Sequence, residues 1–118
     1  MADNFVEKII YVLVAIESIL LKDENEPIQK NIGERMAFLI ENKPRERKNI
    51  INNIIEVYKI RSAFIHHGKT IEDDEIISTF LKNSYVFFTI LIQYIDKFDN
   101  KYKLIEKIED IRLGFSFS

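Results

Sequence analysis

The sequence predicts an all-α fold, a bundle of four to five helices, and three observations predict it. Apolar residues recur at three- and four-residue spacing, as in Ile28, Ile32, Met36 and Leu39, which is the period of one helix face. Gly and Pro number only three and two in 118 residues, too few for the turns of an all-β fold. Four of those five turn formers also stand at helix ends, with Pro27 and Pro44 at starts and Gly68 and Gly114 at stops.

Taken in order, Asp3 or Asn4 caps a first helix of about Phe5 to Lys22. Asp23 to Glu26 is a polar loop, and Pro27 suits the first turn of a second helix, where its missing N–H costs nothing. Asn42-Lys43-Pro44 breaks that helix, and Pro44 opens a third carrying Ile50, Ile54, Val57, Tyr58 and Ile65 up to Gly68. Thr70 with Asp73 resembles a capping box for a long fourth helix reaching about Phe98. Four acids from Glu72 to Glu75 complement its dipole. Asp99-Asn100 is a turn, a fifth helix runs from Tyr102 to about Arg112, and Phe115 to Ser118 is a tail. No repeat or linker interrupts residues 1–118, so they read as one domain.

Composition narrows the function. Apolar residues at 47% and charged residues at 31% describe a globular chain with a real core. Cysteine is absent, which excludes a disulfide framework, a thiol nucleophile and thiolate-bound metal, and fits a reducing, cytoplasmic setting. The apolar run Ile9 to Leu21 is interrupted by Glu17 and is shorter than the roughly 20 residues of a membrane span, so it reads as a core helix with no membrane role. A formal charge of −2 argues against a broad nucleic-acid-coating surface but not against a local phosphate site.

Three charges break the apolar stripes. Glu17 lies between Ile16 and Ile19, Arg35 falls seven residues after Ile28, and Arg61 falls four after Val57. Ionised groups in a core cost several kcal/mol each unless paired, so the expectation is that Glu17, Arg35 and Arg61 meet. Two readings stand: a structural Glu–Arg network that sets helix register, or a surplus guanidinium whose planar fork binds phosphate. His66 and His67 end the helix that carries Arg61. They either cap exposed carbonyls or supply an imidazole for proton transfer. Metal binding is not expected, because adjacent histidines on a helix point about 100° apart and no other His or Cys exists.

The string Tyr58-Lys59-Ile60-Arg61-Ser62-Ala63-Phe64-Ile65-His66-His67-Gly68 resembles the signature helix end of the HEPN superfamily, and within it the Apea-like branch. Ala15-Ile16-Glu17-Ser18-Ile19-Leu20 and Arg35-Met36-Ala37-Phe38-Leu39-Ile40 resemble that branch's first- and second-helix blocks. The resemblance spans residues 14–68 and includes all three stripe-breaking charges.

The resemblance implies a HEPN-like bundle acting as a metal-independent endoribonuclease without a cofactor. It implies a homodimer in which Arg61 stabilises the phosphorane and His66 transfers protons at the RNA 2′-hydroxyl or the leaving oxygen. Glu17, Arg35, Ser62 and His67 would support that site, and Lys59 and Lys69 would touch RNA or nucleotide. Membership of a prokaryotic defence, toxin–antitoxin or stress system, with a regulatory protein partner, is implied as well. Ser62 stands where catalytic members often carry Asn, Asp or His. The alternative is a non-catalytic nucleotide- or RNA-binding or protein-interaction module.

Overall fold

The structure, a computed structural model, describes residues 2–68 and 74–114. Five α-helices follow one another: α1 (Ala2–Leu20), α2 (Ile28–Ile40), α3 (Pro44–His67), α4 (Asp74–Gln93) and α5 (Lys101–Arg112). A single 3-10 turn, Ile95–Lys97, separates α4 from α5, and no strand occurs among the described residues. The all-α bundle read from the periodicity is the architecture.

Several boundaries shift for local reasons. The first helix already includes Ala2, so Asp3 and Asn4 lie inside its first turn instead of ahead of it. It stops at Leu20, two residues short of Lys22, because the Glu26 carboxylate takes the backbone N–H groups of Lys22 and Asp23 that a longer helix would use. Pro27 has extended backbone (φ −68°, ψ 110°) and stands one residue before α2, not within its first turn. Pro44 does open α3, and Gly68 ends it in the left-handed conformation (φ 63°), its N–H donating to the Phe64 carbonyl at 3.0 Å. Thr70, Glu72 and Asp73 lie outside the described residues, as do Lys69 and the tail from Phe115. Asp74 and Glu75 do occupy the first turn of α4. That helix ends at Gln93 instead of Phe98, the chain tightening into the 3-10 turn. Asn100 then caps α5, its side-chain oxygen accepting from the Lys103 N–H at 3.1 Å.

Helix α2 is the hub, touching all four other helices, α3 above all. Gly33 faces α3 at this contact: a Cβ there would sit 3.5 Å from the Ile51 Cα, an ordinary packing distance. The core gathers Ile9, Leu13, Ile16 and Leu20 of α1 with Ile32 and Met36, Ile54 and Val57, Phe80 and Phe87, and Ile108. One face of the α1 apolar run, Ile9, Leu13, Ile16 and Leu20, is therefore core, whereas Tyr11 and Val14 of the same run are exposed. The unexpected element is α4, which by length and composition alone could cross a membrane. Its inner face buries Phe80, Ser84 and Phe87, while Tyr85 (74% exposed) and Ile92 (68%) point outward.

Candidate functional site

Glu17 sits at the flank of the α1 core stripe, beside α3. Its Oε2 accepts two hydrogen bonds, from the Tyr58 hydroxyl at 2.6 Å and from Arg61 Nη1 at 2.9 Å. Tyr58 and Arg61 are three residues apart on α3 and so share a face, and the guanidinium carbon lies 5.8 Å from the Tyr58 ring centroid. Burial, followed by the hydrogen bond and the charge of Glu17, pushes the Tyr58 phenol well above its ordinary range; Arg61 offsets this only in part. Tyr58 therefore remains a hydrogen-bond donor that holds Glu17 in place. One carboxylate oxygen engages one guanidinium nitrogen, and Arg61 keeps further N–H donors that no described residue engages.

These groups border a cleft of about 410 Å³. Its walls are Glu17 from α1, Ile28 and Gln29 from the start of α2, and Tyr58, Arg61, Ser62, Ile65 and His66 from α3. On an ideal helix Arg61 and His66 lie about 140° apart. Both reach the same cleft because α3 ends there, one turn beyond Ser62, with the entry to α2 beside it. Glu17, Arg61, Ser62 and His66 are thus brought together within one chain.

Arg35 is not brought there. It is buried at 7% exposure and donates to Glu26 Oε1 at 2.6 Å and to the Leu20 carbonyl at 2.6 Å, with Glu109 of α5 at 3.6 Å. The expected meeting of Glu17, Arg35 and Arg61 is corrected accordingly. Arg35 ties the C-terminal end of α1, the following loop and α5 together, and the cleft has no surplus guanidinium. Its partner Glu26 is hydrogen-bonded by Asn31 and by the Lys22 and Asp23 backbone as well. Burial alone would raise that carboxyl; the donors outweigh it and hold it at about 2, against an ordinary 4.5. His67 is exposed and does not line the cleft. Lys59 is exposed and pairs with Glu56 at 3.1 Å. Lys69 lies outside the described residues.

The sequence places Tyr58 on the core stripe and at the head of the signature string, with no partner assigned to its hydroxyl. A phenol one turn before a stripe-breaking arginine is a usable signal, because a buried hydroxyl needs an acceptor. Glu26, in an aperiodic loop, carries no such signal. No protein-family model, no curated protein and no solved structure matches the chain significantly.

Proposed function

We propose that the chain is a metal-independent endoribonuclease in which Arg61 and His66 act on one phosphodiester. The 2′-hydroxyl oxygen attacks the adjacent phosphorus and the P–O5′ bond breaks, leaving a 2′,3′-cyclic phosphate and a 5′-hydroxyl. The His66 imidazole takes the 2′-proton or gives one to the departing oxygen, a role that needs no metal. Donors of Arg61, held by Glu17, stabilise the charge that develops on the phosphoryl oxygens. A second copy of the chain would supply the complementary imidazole, so the active unit is a homodimer. Exposed Ile28 and Ile65 at the cleft rim support such an association. Lys59 contacts the strand outside the cleft. By the resemblance, such an enzyme belongs to a prokaryotic defence, toxin or stress system, works in the cytoplasm and is restrained by a protein partner.

The observation that carries the reading is the convergence of Arg61, Ser62 and His66 on one cleft with Glu17 fixing the guanidinium. The test is cleavage of single-stranded RNA in EDTA. Wild type should leave 2′,3′-cyclic ends, and Arg61→Ala or His66→Ala should abolish cutting with the helical circular dichroism intact. Wild-type cleavage by the double variant would refute the proposal.

One observation favours a second reading. The pairing of Arg61 with Glu17 gives the guanidinium a structural role that needs no reaction, as in a non-catalytic nucleotide- or RNA-binding or protein-interaction module. Thermal protection by RNA with no turnover would select it.

A further inference from the structure

With Arg35 committed elsewhere and Arg61 neutralised by Glu17, the cleft itself offers little net attraction to a polyanion. The positive charge lies at the other end of the same helix. Residues 43–48 read Lys-Pro-Arg-Glu-Arg-Lys, four cations and one anion in six positions of a chain whose net charge is −2. Arg47 is committed structurally: its Nε donates to the Glu41 carbonyl at 2.7 Å and its guanidinium lies 4.4 Å from the Phe38 ring centroid. Lys43, Arg45 and Lys48 are exposed and have no acidic partner among the described residues.

Their placement works against the helix. Cations in a first turn oppose the macrodipole, and Lys is a poor N-cap; Lys43 holds that position with no side-chain capping bond. Local stability therefore does not account for this cluster. Its register does connect it to the cleft. Arg45, Lys48, Asn52, Lys59, Ser62 and His66 follow one another at three- and four-residue steps, interrupted by Ile55, and every one of them is exposed. They form a single ridge along α3, about 32 Å from Arg45 to His66 at 1.5 Å per residue. The Lys59–Glu56 pair on this ridge is solvent-exposed on both sides and opens at little cost.

We infer that the outer ridge of α3 is a track for the backbone of single-stranded RNA, with Arg45 and Lys48 holding phosphates several nucleotides away from the phosphate that lies in the Arg61–His66 cleft. The inference rests on the proposed nuclease reading for the identity of the strand, and it deepens that reading by stating where affinity comes from. Affinity is electrostatic and remote, whereas the cleft contributes chemistry. Substrates too short to reach Lys48 would bind weakly.

The test measures binding separately from cutting. Fluorescence anisotropy with a labelled oligouridylate of roughly ten nucleotides, within the usual range for single-strand sites, is read on the full chain carrying His66→Ala, at several salt concentrations. Adding Arg45→Ala and Lys48→Ala should lower affinity about tenfold and flatten the log–log salt slope by about 1.4, at roughly 0.7 per lost phosphate contact on a single strand. Removing two exposed lysines elsewhere, Lys82→Ala with Lys103→Ala, should leave affinity and slope unchanged. The melting temperature of the Arg45/Lys48 variant should hold or rise, since cations leave the positive end of a dipole. Unaltered affinity and slope in that variant, an equal loss in the lysine control, or no binding by the parent chain at low salt would each overturn the track. If the chain with His66 intact does not cut RNA while binding still depends on Arg45 and Lys48, the track stands and the nuclease reading falls. If it cuts and the ten-nucleotide strand ignores Arg45 and Lys48, the nuclease stands and the track falls.

Discussion

Glu17 of α1 and Arg61 of α3, forty-four positions apart in the chain, meet at 2.9 Å through a single carboxylate oxygen that also accepts the Tyr58 hydroxyl. This contact locks α1 to α3 and orients the guanidinium toward the cleft. Glu17→Ala removes the acceptor from both partners. It should cost roughly 1–3 kcal/mol, below the figure for a fully buried pair because Arg61 remains partly exposed. Tyr58→Phe should cost about 1 kcal/mol. Urea unfolding with unchanged m-value is the measurement, and a neutral Glu17→Ala would show that the contact holds nothing.

Arg35 and Arg61 belong to separate networks. Arg35→Ala takes one donor from Glu26, which keeps Asn31 and the Lys22 and Asp23 N–H groups, and one from the Leu20 carbonyl. The expected cost is about 3 kcal/mol, the low end for a broken buried pair. Combined with Arg61→Ala, the losses should add to within about 0.5 kcal/mol. A larger coupling energy in that double-mutant cycle would show that the two arginines share one network.

Glu26 makes stability acid-sensitive. Its carboxyl is held at about 2 in the folded chain against an ordinary 4.5, so the unfolded chain binds the proton more readily. The contribution is complete above 4.5 and is lost as pH falls from there toward 2. It amounts to about 2–3 kcal/mol at neutrality, converted at 1.36 kcal/mol per unit and reduced for partial exposure. Glu26→Gln should flatten the urea midpoint across that acid window relative to wild type; parallel curves for the two proteins would exclude the assignment.

Gly33 is a site for stabilisation. A Cβ there meets Ile51 atoms only at ordinary contact distance, 3.5 Å and beyond. Gly33→Ala should therefore gain about 0.5–1 kcal/mol through helix propensity and reduced chain entropy. Gly33→Leu should destabilise, because α2 and α3 cannot separate without opening the core. Gly68→Ala should cost about 1 kcal/mol, since its φ of 63° strains any residue with a Cβ. Thermal melts of the three variants check the set.

Much of this molecule is legible in its sequence. The helical period, the scarcity of turn formers and the placement of Pro44 and Gly68 predict five helices in the observed order. The polar intrusions Glu17 and Arg61 were visible because each interrupts an apolar stripe. Errors fell where no period operates. Glu26 shortens α1 from within a loop, the fourth helix stops at Gln93, and α4 turns apolar side chains such as Ile92 outward.

Periodicity by itself determined most of the buried face of α2 and α3 and the charges that stand on it, because side-chain direction repeats with the backbone. On α1 and α4, apolar on more than one side, it did not choose the face. Which charges meet was decided only by tertiary structure. Whether Arg35 finds Glu17 or Glu26 depends on the axial register between α1 and α2 and on where a loop carboxylate folds back, and a one-dimensional pattern holds neither quantity.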